Sequence, residues 1–307
     1  MSPRRLKFVT LDVFTQEKYA GNPLAVCLVP AGEDVSTETM QAIAREFNLS
    51  ETLFLYETGP QGKEPTWRVR IFITTAELPF AGHPTIGAAV FALGTLQSAT
   101  KGTFVAGAGP IELSFDGVVA EASIPHNVHI HKQYPLKVAD IGATQPSLKG
   151  LLESDDAVTV VSPVKGMNFV AVELASVELL STIALSGRAL PKLDDEWNVG
   201  FIGSYFYVPT RESRVDGDVN RVELQARMIA DGFEDPATGS AACAIGGMIA
   251  LKRASSRVTQ LSILQGVEMG RKSEIGVEVT LNASLTAVER IVLSGAAVRV
   301  MEGVVEY

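Results

Sequence analysis

The sequence predicts an α+β fold of two pseudo-symmetric domains, each a strand-rich barrel around a central apolar helix. Three observations lead there. Two segments, HPTIGAAVFAL at 83–93 and DPATGSAACAI at 235–245, carry no charge beyond their first residue. They lack the polar face of a surface helix and read as buried all round. Laid over each other, they match at Pro84 and Pro236, Gly87 and Gly239, and Ala89 and Ala241, about half the chain apart. A duplicated domain explains the match; the alternative is a chance likeness of two alanine-rich stretches. The rest reads mainly as short strands without regular βαβ alternation, which favours α+β over a parallel α/β sheet.

In chain order, residues 7–13 and 24–29 read as strands, joined by a polar turn holding Gly21 and Asn22. STETMQAIAREFN at 36–48 predicts an amphipathic helix, with Met40, Ile43 and Phe47 on one face. LSETLFLYE and TWRVRIFIT follow as strands. A buried helix is predicted at 84–96, then a strand-and-turn series from Lys101 to Ile124. Residues 123–132 read as the passage between halves, placing domains at 1–126 and 127–307, the first open to completion by the last C-terminal strand. The second half offers strands near 157–161, 168–174 and 204–208 and a helix near 175–188. The second buried helix spans 237–251, and hairpins run from 261 to the end.

Bulk properties exclude several classes. The 307 residues are 46% hydrophobic and 20% charged, enough for a substantial core. A net charge of -9 and a pI near 5.1 argue against a nucleic-acid partner. No apolar run approaches the length of about 18 residues that a membrane span needs. The start, MSPRRLKFVTLDVF, lacks an apolar leader core, so the expected location is cytoplasmic. Cys27 and Cys243 suit a reduced compartment better than a disulfide framework.

The chemistry concentrates at the two helix mouths. Asp235 before Pro236 has two readings: a helix N-cap, or a ligand-facing carboxylate. On the repeat alignment His83 holds the matching place, and histidine is not a favoured cap. Gly82 in one mouth, with Gly239 and Ser240 in the other, leaves backbone N–H groups approachable by an anion. Glu51 shares a strand face with Leu49, Leu53 and Leu55 if the alternation holds. There, desolvation would raise its pKa toward the range of proton transfer; a solvated glutamate at a strand end is the other reading. Glu234 receives no role.

Rival chemistries find less support. A two-thiol racemase needs cysteines at both mouths, where Ala81 and Pro236 stand; Cys27 and Cys243 read as packing residues. His126, His129 and His131 lack a further ligand in sequence, so no metal is assigned. Ser240 is not in a nucleophile elbow, and no phosphate-binding glycine loop is present.

The motifs DVFTQEKYAGNPLAV at 12–26, LSETLFL at 49–55, ELPFAGHPTIGAA at 77–89, DPATGSAA at 235–242 and QGVEMGRKS at 265–273 resemble, in order, those of the PhzF-like (phenazine biosynthesis-like) family. The resemblance implies the diaminopimelate-epimerase-like fold with the site between two similar domains. It further implies a cofactor-independent and metal-free isomerase moving a proton within a small carboxylated metabolite, with Glu51 as general acid/base. His83 and Asp235 would join it as catalytic partners, and Gly82, Gly239 and Ser240 would bind substrate. Relatives are commonly homodimers, so a second copy of the chain is an implied partner. One departure is visible: many relatives read F-T-P where this chain has Phe72, Ile73 and Thr74. A non-catalytic binding or interaction protein that keeps the pocket is the alternative from another class.

Overall fold

Burial alternates along strands such as Ser273–Leu281 and is near-continuous along others such as Asn22–Val29 and along two helices, building two units, Met1–Ile124 with Leu293–Tyr307, and Pro125–Val292. They are seen in a computed structural model that describes residues 4–58, 64–185, 187, 189–197, 200–215, 219–230 and 232–307. The break between the halves lies at Ile124, and the C-terminal strand crosses into the first unit. No helix among the described residues is long and apolar enough to cross a membrane.

The first unit holds β1 (Arg5–Val13), β2 (Asn22–Val29), α1 (Thr37–Phe47), β3 (Thr52–Tyr56), β4 (Thr66–Phe72), β5 (Glu77–Leu78) and α2 (Gly82–Phe91). β6 (Lys101–Ala106), β7 (Gly109–Phe115) and β8 (Val119–Ser123) follow. β1 pairs with β2, β2 runs parallel to β3, β3 opposes β4, and β4 runs parallel to β6. β6, β7 and β8 continue as antiparallel neighbours. The long last strand of the chain pairs with both β8 and β1, so the sheet closes on itself.

α2 is buried over nearly its whole length because this ring surrounds it. A Cβ at Gly87 would come within 2.6 Å of Val13 and 2.7 Å of Leu24, so the helix needs glycine to approach β1 and β2. The predicted helix at 84–96 starts two residues earlier and ends as a π-turn, Ala92–Gln97. On the outer face α1 packs Met40 and Ile43 against Cys27, Phe54 and Phe72. At its ends Ser36 accepts from the Thr39 N–H, and Asn48 closes the helix in the left-handed region. Phe72, the first residue of the departing triplet, stacks edge-on to Phe54 in this outer core. Gly21 also has a steric reason: a Cβ there would lie 2.3 Å from the Val13 carbonyl oxygen, at a φ of +64°.

The second unit contains β9 (His129–Ile130), α3 (Val138–Thr144), β10 (Val158–Val164), β11 (Met167–Glu173) and α4 (Val177–Ser181). β12 (Phe201–Val215), β13 (Val219–Ile229), β14 (Glu234–Asp235), α5 (Gly239–Arg253), β15 (Val258–Gln265) and β16 (Ser273–Leu281) follow. β17 (Val288–Glu306) begins here and supplies the first unit's closing strand. α5 is buried from Ala241 to Ala250; its Gly246 lies under Leu261, Val277 and Val279, and its Gly247 under Val128. β13 escapes the sequence reading, although its buried Val222, Leu224, Ala226 and Met228 alternate strictly.

The helix predicted near 175–188 stops at Ser181; residues 186 and 188 lie outside the described residues. Arg227 is the reason. Its Nη1 donates to the carbonyls of Leu180 at 3.1 Å and Ile183 at 2.7 Å. A buried guanidinium thus caps the C-terminus of α4.

Strand pairing reveals the duplication and corrects its alignment. In the first unit β1–β2 antiparallel, β2–β3 parallel, β3–β4 antiparallel and β4–β6 parallel are repeated by β10–β11, β11–β12, β12–β13 and β13–β15. Ile71 pairs with Leu78 as Met228 pairs with Asp235. Leu78 is therefore the equivalent of Asp235, Pro79 of Pro236, and Gly82 of Gly239, each the first residue of its central helix. His83 falls on Ser240, not on Asp235. Both segments are rich in proline, glycine and alanine, so several alignments score alike, and only the backbone pairing selects one.

The same register explains Glu234. Arg227 Nε and Nη2 hold its carboxylate in a two-pronged bridge at 2.8 and 2.7 Å. In the first unit Arg70 holds Glu77 identically, at 2.7 and 2.6 Å. Both pairs cross the two-residue hairpin that leads into the central helix. The Arg227–Glu234 side chains are each 8% exposed, against 14% and 37% for Arg70 and Glu77.

Candidate active site

In the first unit the start of β3 and the first turn of α2 bring Glu51 and His83 together. Glu51 Oε2 lies 3.3 Å from His83 Nδ1, with the side chains 17% and 4% exposed. That oxygen is buried and makes no full hydrogen bond among the described residues. Burial raises the Glu51 carboxyl to about 7, against a weaker opposing hydrogen bond from Ser50. Of the two sequence readings of Glu51, the desolvated one holds. Near neutral pH such a carboxyl is present in both forms, so it can take a proton and return it. α2 has no side-chain cap over Ala81, so the mouth at Gly82 keeps the partial positive charge of a helix start.

The second unit has no acid at the matching place. Register puts Gly203 where Glu51 stands, since Thr52 opposes Phe72 as Ser204 opposes Ile229. Asp235 is not the N-cap of α5. Thr238 holds that position and Gly239 begins the helix, while Asp235 belongs to β14. The Asp235 carboxylate instead accepts the Thr238 hydroxyl, Oδ2 to Oγ1, at 2.6 Å. Buried Gly239 and half-buried Ser240 form the first turn, again without a side-chain cap. Among the predicted site residues, Glu51, His83 and Gly82 are thus gathered in one unit, and Asp235, Gly239 and Ser240 in the other.

Sequence reasoning missed Thr238, Tyr205 and Gln265, which surround Asp235. Thr238 lies within the motif DPATGSAA and Gln265 opens QGVEMGRKS, whereas Tyr205 stands in neither.

The cysteines are packing residues: both are buried, and burial pushes both thiols up to about 12. His129 and His131 meet Asp194, whose contribution the sequence did not signal, with ligand-type atoms within 4.8 Å of one another. Hydrogen bonds already occupy the His131 ring. Its Nδ1 accepts the Asp194 N–H at 3.1 Å, and its Nε2 lies 2.9 Å from Ser162 Oγ. Ser162 gives its own proton to Asn168, so Nε2 is the donor and the imidazole is neutral. Burial and the neighbouring His129 hold His131 below the usual histidine range, in keeping with that form. His129 lies over Trp197 and bonds Asp194 at 2.9 Å. This cluster ties the 189–197 segment to β9 and β10.

The first unit of this duplicated, strand-rich fold thus sets a desolvated carboxyl beside an imidazole at the start of its central helix. The model of the phenazine biosynthesis-like (PhzC/PhzF) proteins matches residues 11–303. The chain belongs to that family, and it is an isomerase. It is 37% identical to an uncharacterized isomerase of Mesorhizobium japonicum, over 96% of this chain and 97% of that one. It is 31% identical to the trans-2,3-dihydro-3-hydroxyanthranilate isomerase of Pseudomonas aeruginosa, over 88% of each. A PhzF-family protein from Bacillus anthracis shares the fold, with a TM-score of 0.72 at 19% identity over 98% of this chain and 99% of that one.

Proposed function

We propose that the protein moves a proton within a small cyclic or amino-acid-like carboxylate, without a cofactor and with Glu51 as general acid/base. The Glu51 carboxylate removes a proton from one carbon and, as the acid, delivers it to another. The substrate is isomerised with no net gain or loss of electrons. His83 stays beside Glu51 to orient it and share its proton, while Asp235 serves as a second polar contact for the reacting group. Gly82, Gly239 and Ser240 offer N–H and hydroxyl donors to the substrate carboxylate.

The observation that carries this reading is the buried Glu51 carboxyl raised to about 7 with His83 Nδ1 at 3.3 Å. The motif resemblance and the relative named for a dihydro-hydroxyanthranilate support a ring-bearing amino-acid carboxylate as the substrate class. The experiment incubates a panel of such carboxylates, trans-2,3-dihydro-3-hydroxyanthranilate included, with the protein in deuterated water and reads deuterium uptake by mass spectrometry. Uptake that disappears in Glu51→Gln supports the assignment. Binding without exchange across the panel would make the protein a non-catalytic binder.

A further inference from the structure

The mouth of α5 is built from a connected set of polar side chains that the first unit shows to be dispensable for folding. Gln265 is at its centre and fully buried. Its Nε2 donates to the Asp235 carbonyl at 2.8 Å and to Thr238 Oγ1 at 3.1 Å. Its Oε1 accepts the Tyr205 hydroxyl at 3.2 Å and the Thr238 N–H at 3.3 Å. The amide can point only one way, because a carbonyl only accepts and a backbone N–H only donates. With its lone pair taken by Gln265, the Thr238 hydroxyl has its proton for the Asp235 carboxylate, at 2.6 Å. Tyr205 is itself buried, and burial followed by the Asp235 charge keeps its phenol protonated and donating.

The first unit builds the same corner from apolar residues. Strand register sets Leu78 against Asp235 and Leu53 against Tyr205, since Leu53 opposes Ile71 as Tyr205 opposes Met228. Ala81 occupies the N-cap position of Thr238. Ala106 occupies the place of Gln265, one step beyond the Arg68–Val105 pair that matches Gln225–Leu264. The hairpin, proline and helix start still form there, so the fold does not require the polar set. Burying polar side chains is costly unless each is satisfied, and the buried Tyr205, Thr238 and Gln265 satisfy one another around half-buried Asp235.

We infer that Gln265 is a positioning residue that, through Thr238 and locked by Tyr205, fixes the Asp235 carboxylate for the reaction. This rests on the proposed role of Asp235. Gln265 touches the peptide and the neighbour of Asp235 and acts on the substrate only through them. In this reading the second copy contributes a carboxylate held in one orientation.

The test is a double-mutant cycle read as deuterium uptake on the carboxylate panel, with thermal midpoints taken in parallel. Gln265→Met, close in length but unable to hydrogen-bond, is expected to lower the exchange rate about tenfold to a hundredfold, mainly in kcat. In an Asp235→Asn background the same change is expected to cost less than about twofold, because the carboxylate it positions is gone. A purely structural glutamine would lower both backgrounds alike. If Gln265→Met does not fold, Tyr205→Phe takes its place, with an expected loss of about threefold that likewise vanishes beside Asp235→Asn. Equal losses in the two backgrounds, or full activity in the single variants, overturn the inference and leave the role of Asp235 standing. Undiminished exchange in Asp235→Asn, or no exchange by the unmodified protein, overturns the functional reading and the inference with it.

Discussion

Replacing Glu51 by Gln should stabilise the protein, and increasingly so as the pH rises. The folded carboxyl titrates at about 7, whereas an exposed glutamate titrates at about 4.5. Between those values the folded state binds more protons than the unfolded state, so stability falls with pH across that window and then levels off. Each unit of difference corresponds to about 1.4 kcal/mol. Holding Glu51 in its buried place thus costs about 1 kcal/mol at pH 5, where it must stay protonated, and about 3 kcal/mol at pH 8, where it ionises. Glutamine keeps the shape and never ionises. With about 2–4 °C per kcal/mol for domains of this size, its advantage in thermal midpoint should grow from a few degrees at pH 5 to about 6–12 °C at pH 8. Differential scanning calorimetry of the two proteins across that range gives the answer. A constant gap, or a Glu51→Gln protein that loses ground as the pH rises, would refute the claim that Glu51 is desolvated and poised.

The other predictions concern separate parts of the molecule. Arg227→Met should destabilise by about 3–5 kcal/mol, since it strands the buried Glu234 carboxylate and uncaps α4. The equivalent Arg70→Met should cost about 1 kcal/mol, because Glu77 can turn to solvent; denaturant titration compares them. Iodoacetamide at pH 8 should leave exchange activity intact and both cysteines unmodified by mass, since Cys27 and Cys243 are buried thiols pushed up to about 12. Proton removal by Glu51 needs its ionised form, so kcat/KM for exchange should rise with pH through about 7. A flat profile from pH 5.5 to 8.5 would speak against that base.

What was legible in the sequence follows its local chemistry. α1 declares itself through its apolar stripe of Met40, Ile43 and Phe47, a pattern that acts within the helix. The two central helices are visible because burial on all sides leaves no place for charge. Glu51 stood out as an acid among leucines. β13 was missed although its buried positions alternate, because charged and polar residues fill the positions between them. The end of α4 was misplaced because its stop signal, Arg227, lies 46 residues beyond Ser181 in the chain. The repeat was seen but misaligned, and the error put His83 opposite Asp235 when hairpin pairing puts Leu78 there. Gln265 had no local signal of its role; only folding brings the end of β15 beneath β14.

Deuterium incorporation into a panel of cyclic and amino-acid carboxylates, catalysed by the wild-type protein and by Glu51→Gln, tests the central claim most directly. The account predicts uptake at a carbon-bound position of at least one substrate by the wild type. In Glu51→Gln that uptake falls at least about a thousandfold while the same substrate still binds. Equal uptake by the two proteins would contradict it.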